Sequence, residues 1–304
     1  MDLSSLISQL LVLLLLMLAG FICARAGIIT PENRQKFSTL TLSTAAPGTI
    51  ISSALSGGNS SSTMISAVVL AALFYIALIP LSRLLLISVR TPKEERSLDE
   101  AMLIYTNVGF VGLPVVQSIY GARGVAVQAM FILVFNLSFF SYGILRMSGG
   151  KGLNLKGMIN PCTISAVIAL IFGVTGWHPP APIEKTLSTL GGMNTPMAMM
   201  IIGASMAHSD IRGTLKSPRI YRVCLLSMLV LPVVVLLLIR LLPIDPMLAG
   251  VAVITAALPI ASNCGMVSDL YTPGDLTASH GVFISTISCA LTLPLICALA
   301  AALL

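Results

Sequence analysis

The stretch whose reading decides the fold is Asn107-Val108-Gly109-Phe110-Val111-Gly112-Leu113-Pro114. It sits inside an apolar run, 101–119, that has the length of a membrane span, yet it is written with residues that undo helices. Proline removes a backbone donor and its ring clashes with the preceding turn. Two glycines beside it lower the cost of leaving the helical well. An unwound stretch at membrane depth is expected, and such a stretch is tolerated only where it lines a protein-buried or water-filled cavity. The same ingredients return in the second half of the chain, in Ala257-Leu258-Pro259-Ile260-Ala261-Ser262-Asn263-Cys264-Gly265. Paired interruptions in corresponding helices point to a transporter's binding site.

Chemistry follows from the breaks. An interrupted helix makes a new N-terminus in mid-membrane, with free N–H groups and a partial positive charge. Two such termini facing each other favour an anion. Asn107 and Asn263 add amide donors, and no Lys or Arg lies deep inside an apolar run. Dipoles and amides alone then hold the charge, which suits a small organic anion or polar solute. The candidate substrate-binding residues are Asn107, Val108, Gly109, Gly112 and Pro114 on one side and Pro259, Ile260, Ala261, Ser262 and Asn263 on the other. Thr44, Pro47, Asn136 and Asn194 are further candidates from neighbouring runs. The competing reading is that the prolines merely kink their helices and that Ser and Thr act as interhelical glue.

Working outward, the whole chain is written for lipid. Of its 304 residues 56% are hydrophobic and 9% charged, against about 25% charged in a soluble domain. Apolar runs fall at roughly 3–24, 37–56, 64–88, 101–119, 125–147, 158–176, 183–207, 219–241, 247–268 and 276–303, each near the ~20 residues a helix needs to span a bilayer. Residues 1–20 lack a basic leader and are read as the first span rather than a signal peptide. Gly, Pro, Ser and charges punctuate the breaks. With the N-terminus placed outside, 14 of the 17 Lys and Arg fall on the inner side, leaving only Arg123, Lys185 and Arg240 opposite. That asymmetry is what the positive-inside rule produces, and it places both termini extracytoplasmic in a plasma (inner) membrane. The net charge of +6 is then topogenic and does not imply nucleic acid.

Other residue types exclude functions. The six cysteines lie in apolar runs without CxxC spacing and read as small hydrophobes, so no disulfide, metal or cofactor is expected. Asp99 and Glu100 precede the fourth run and no acid marks a midplane, so no proton relay is visible. His208 and His280 read as interfacial. HExxH, GxGD and GxSxG patterns are missing from the runs, which argues against an intramembrane enzyme.

The halves resemble each other. Run 2 contains LSTAAPGTIISSALS and run 7 LGGMNTPMAMMIIGAS, each with a proline (Pro47, Pro196) followed by small residues. Run 4 ends at QSIYGARG and run 9 at SDLYTPGD. Five helices per half is an odd number, so the second copy enters the membrane inverted. The expected fold is an all-α integral membrane protein of ten transmembrane helices in 5+5 inverted repeats, residues 1–150 and 151–304, with spans 4 and 9 broken.

Asn107-Val108-Gly109-Phe110-Val111-Gly112-Leu113-Pro114, followed by Tyr120-Gly121, resembles the crossover helix of the auxin efflux carrier family, which includes plant PIN proteins and bacterial permeases for malonate or malate. Ala257-Leu258-Pro259 ahead of Tyr271 resembles the second crossover. The resemblance implies a homodimer, a scaffold of spans 1, 2, 6 and 7, and a mobile transport domain of spans 3–5 and 8–10. It also implies elevator-type transport, with Asn107, Pro114 and Pro259 at the solute. The long hydrophilic loop of the plant proteins is missing between spans 5 and 6. A sodium-coupled symporter of the bile-acid type and a non-transporting membrane sensor are the alternatives. The first should carry acidic sodium ligands at the crossover and the second a soluble output domain.

Overall fold

The computed structural model describes residues 3–150, 155–207, 217–271 and 277–304; Lys151, His208, Asp210, Arg212, Lys216 and Asp275 lie outside the described residues. Those described are helical and carry no strand beyond a single two-residue bridge, Thr106 to Ile260. The order is α1 (Leu3–Arg25), α2 (Pro31–Leu40), α3 (Ala46–Ser56), α4 (Ser61–Ser88), α5 (Arg96–Ile104), α6 (Leu113–Ser138), α7 (Ile144–Met147), α8 (Leu155–Met158), α9 (Pro161–Thr175), α10 (Ala181–Gly192), α11 (Asn194–Ala207), α12 (Pro218–Leu225), α13 (Leu231–Ile239), α14 (Pro246–Ala257), α15 (Ser262–Tyr271) and α16 (Thr277–Leu303).

Among the described residues, four helical runs are long and apolar enough to cross a membrane: Ser61–Ser88, Val108–Met147, Pro218–Ile239 and Thr277–Leu303. The second, at 40 residues, would be about 60 Å long if straight, twice the hydrocarbon thickness. It is not straight, because Gly121 takes φ 62° and ψ −155° and divides it. Only glycine enters that region without strain.

Proline shapes the helices in a repeated way. Five-residue π turns at Thr41–Ala45, Val108–Gly112 and Leu226–Val230 each end two residues before a proline, Pro47, Pro114 and Pro232. The proline ring would strike the carbonyl four residues back, which is the middle residue of each π turn. Widening the turn moves that carbonyl aside and keeps the helix running. The sequence reading expected an unwound segment over 107–114; instead Val108–Gly112 is wound as a π turn and the break lies earlier, at 105–107.

The chain forms two compact units, residues 1–69, 108–133 and 159–209, and residues 70–107, 134–158 and 210–304. In the first, α1 packs on α11 with backbones nearly touching: a Cβ added to Gly203 would lie 1.8 Å from the Met17 carbonyl oxygen, and one on Gly20 2.1 Å from that of Met200. Close approach through small residues is how helices associate where lipid removes the hydrophobic drive. In the same unit α3 packs on α9 and α10, and the Thr49 hydroxyl donates to the Gly191 carbonyl at 2.8 Å. The second unit packs α12 and α13 against α14 and α16, with α15 lying along α16.

Candidate functional site

Both helix breaks lie in the second unit. α5 stops at Ile104 and α14 at Ala257, and the chain leaves each in extended conformation, at Tyr105 (φ −102°, ψ 107°) and Leu258 (φ −64°, ψ 154°). The two extended segments run antiparallel. Asn107 N–H donates to the Pro259 carbonyl at 2.7 Å and Ala261 N–H to the Tyr105 carbonyl at 2.9 Å, flanking the Thr106–Ile260 pair. Each break thus satisfies orphan backbone groups of the other, which would otherwise cost several kcal/mol apiece in hydrocarbon.

Side chains complete the crossing. In a continuous helix the Thr255 carbonyl would accept from residue 259, but that residue is proline and has no N–H. The buried Thr106 hydroxyl supplies a donor instead, at 2.7 Å. Ile260 N–H donates to Ser285 Oγ on α16 at 3.0 Å. Tyr105 is fixed among aromatic rings: it stacks with Tyr75, meets Phe135 and Phe139 edge to face, and its hydroxyl bonds Ser138.

The structure brings together Asn107, Pro259, Ile260, Ala261 and Ser262 from the sequence-derived set. Pro259, Ile260 and Ala261 contribute backbone bridging. Asn107 Nδ2 lies 3.5 Å from Ser262 Oγ, the outer limit of a hydrogen bond, and Ser262 and Asn263 open α15. Val108, Gly109, Gly112 and Pro114 are helical and fall in the first unit, where the Val108 carbonyl accepts from Gln128 Nε2 at 3.3 Å. A Cβ on Gly109 would meet only Leu42 Cδ2, at 4.0 Å. Thr44 is half-buried and its hydroxyl turns back to the Leu40 carbonyl. Pro47 is the second residue of α3, and Asn136 is buried on α6. Asn194 opens α11 with its amide nitrogen buried and lacking a hydrogen-bond partner, while Thr195 Oγ1 donates to Gln117 Oε1 at 3.3 Å.

Sequence reasoning missed the charged residues beneath the crossing. Asp99 and Glu100 precede span 4 as expected, but both are wholly buried and each is held by two arginines that had been read as topogenic loop charges. Glu100 receives Arg83 Nε at 2.9 Å on one oxygen and Arg146 Nη2 at 2.7 Å on the other, with the Tyr142 hydroxyl donating to the first. Asp99 receives Arg219 Nη2 at 2.8 Å and Arg222 Nη2 at 3.3 Å; Arg222 also pairs with Glu95 at 2.6 Å. Burial pushes the Asp99 carboxyl above its ordinary value, and the Arg219 and Arg222 guanidiniums pull it back. A signal did exist: Glu95 and Asp99 stand four apart and Arg219 and Arg222 three apart, so each pair shares a helix face.

Comparison with known proteins gives the class. The family described as membrane transport protein matches residues 5–153 and 144–297. The chain belongs to this family. It is the auxin efflux carrier, PIN-like family whose crossover motifs the sequence resembles. An uncharacterized transporter of Methanothermobacter thermautotrophicus is 27% identical over 197 residues, 62% of this chain and 63% of that protein. Protein PIN-LIKES 4 of Arabidopsis thaliana is 28% identical over 153 residues, 44% of this chain and 37% of its own length. The chain therefore spans less than two thirds of the length of these relatives. Family membership and the several apolar helices make this a multi-pass membrane protein of a transporter class, which is not an enzymatic one.

Proposed function

We propose that this membrane transport protein is a secondary carrier for a small organic anion, a mono- or dicarboxylate. The observation that carries the reading is the antiparallel crossing of Tyr105–Asn107 with Pro259–Ala261. It sets the start of α15 beside the Asn107 amide, and two peptide dipoles and amides favour an anion without a fixed cation. The wider architecture of the reading is ten spans in two inverted repeats, 1–150 and 151–304, in a plasma (inner) membrane with both termini extracytoplasmic. Reciprocal packing supports it: α1 lies on α11, the second part of span 7, as α9 lies on α3, the second part of span 2. In this reading the protein is a homodimer, and spans 3–5 and 8–10 slide as an elevator against a scaffold of spans 1, 2, 6 and 7.

Uptake of radiolabelled carboxylates into proteoliposomes, wild type beside Asn107→Ala, tests the proposal. Uptake by wild type that falls at least tenfold in the variant, as expected for a lost charge-assisted hydrogen bond of about 1.5–3 kcal/mol, supports the site. Uptake equal in both refutes the crossing as the solute site. Uptake only with a sodium gradient favours the bile-acid type of symporter, and no uptake of any carboxylate refutes the anion assignment.

A further inference from the structure

The two arginine-carboxylate clusters differ in charge. Around Asp99, among the described residues, two carboxylates (Glu95 and Asp99) meet two guanidiniums (Arg219 and Arg222), so these four balance. Around Glu100, one carboxylate meets two guanidiniums. The Glu100 oxygens are taken up: Oε1 by Arg83 Nε and the Tyr142 hydroxyl, Oε2 by Arg146 Nε at 3.2 Å and Nη2 at 2.7 Å. Arg83 spends one more N–H on the Tyr142 hydroxyl, at 2.6 Å, with its guanidinium 5.9 Å over that ring. Each guanidinium keeps its remaining N–H groups, and the cluster keeps one unmatched positive charge.

Position says what meets that charge. Glu100 is 1% exposed, but Arg83 is 49% and Arg146 33% exposed, so the surplus donors face outward from a buried anchor. Their neighbours in sequence are apolar and also exposed: Leu84 beside Arg83 at 61% and Leu145 beside Arg146 at 40%. Arg83 lies five residues before the end of α4 at Ser88, about 7.5 Å along the axis, and Arg146 one residue before the end of α7. Guanidiniums near helix ends, flanked by exposed leucines, suit the level where acyl chains give way to headgroups. Preorganised forks match phosphate oxygens two at a time.

We propose that Arg83 and Arg146, anchored on Glu100 and Tyr142, form a binding site for the phosphate of an anionic phospholipid headgroup. The exposed leucines beside them take the first carbons of the acyl chains, which a free phosphate would not need. Exposed Arg90 and Lys93 in the following loop add attraction for an anionic leaflet without belonging to the site.

Native mass spectrometry of the purified full chain in detergent, titrated with phosphatidylglycerol or phosphatidylcholine, reads the site. Wild type should retain phosphatidylglycerol over phosphatidylcholine. Arg83→Gln leaves Glu100 its Arg146 partner and should lower that preference about fivefold, as expected for one interfacial cation. Arg146→Gln is a second removal with the same expectation, so the reading does not rest on one variant folding. Arg83→Lys keeps the charge without the fork and should fall between wild type and Arg83→Gln, and Lys93→Gln should leave the preference intact. Equal losses in Arg83→Gln and Lys93→Gln mean diffuse surface charge and overturn the site. So does an unchanged preference in both arginine variants. Displacement of the lipid by inorganic phosphate at equal concentration overturns the lipid assignment in favour of a free anion.

Discussion

Thr106→Val is the sharpest probe of the crossing. The two side chains are nearly isosteric, and valine suits the extended backbone that Thr106 adopts in its bridge to Ile260. The substitution therefore opens no cavity and strains no dihedral; it removes one hydroxyl. That hydroxyl donates at 2.7 Å to the Thr255 carbonyl, whose ordinary helical donor is replaced by Pro259. Both residues are buried, Thr255 completely. Withdrawing a donor from a buried carbonyl costs about 1–3 kcal/mol. For a chain of this size about 2 °C accompanies each kcal/mol, so Tm should fall by about 2–6 °C. The assay is thermal unfolding of the detergent-solubilised protein, with Thr106→Ser as control. Serine keeps the donor and loses one methyl, about 0.8 kcal/mol, so its shift should be the smaller one. Because the hydroxyl ties the two breaks together, carboxylate uptake should fall with Tm in the valine variant and persist in the serine one. A valine variant with unchanged Tm and uptake, or a serine variant hit equally hard, refutes the assignment of Thr106 as the stand-in for the missing proline N–H.

Three further outcomes follow from the packing. Gly203→Val places a side chain within 1.8 Å of the Met17 carbonyl oxygen, so α1 and α11 must separate; loss of monodisperse protein in size-exclusion chromatography is expected, and a variant that behaves as wild type would contradict the close packing. Gly121→Ala demands φ 62° and ψ −155° of an alanine, a region that costs of order 1–3 kcal/mol outside glycine, readable as a drop in Tm. Glu100→Gln leaves Arg83 and Arg146 facing each other without their carboxylate; both guanidiniums are partly solvated, so a loss of about 1–2 kcal/mol, below the 3–5 kcal/mol of a fully buried pair, is expected by denaturant-resolved unfolding.

The sequence by itself determined the solvent, the class and which two helices are disturbed, though not where the first of them stops. A chain with 9% charge has too little polarity to cover a globule, and that follows from composition alone. The crossover motifs were legible because proline and glycine act on their own backbone, within a turn of where they stand. That locality also explains the three π turns ahead of Pro47, Pro114 and Pro232, although the sequence reading took the run before Pro114 for an unwound segment. A proline marks a disturbance, but whether the helix widens or stops depends on what can receive the freed backbone groups. At Pro259 the receivers were Tyr105, Thr106 and Asn107, residues remote in sequence that only the fold brings alongside.

Tertiary structure alone decided the fate of the charges. Arg83, Arg146, Arg219 and Arg222 fit the positive-inside count as well as any loop cation, and the spacing of Arg219 and Arg222 shows a shared helix face but not the carboxylates that meet it. Their roles are set by Asp99 and Glu100, whose burial takes both carboxylates out of water and makes a partner obligatory. An ion pair in low dielectric is a property of two places in space, and a sequence read one span at a time records only that each charge stands near a helix end.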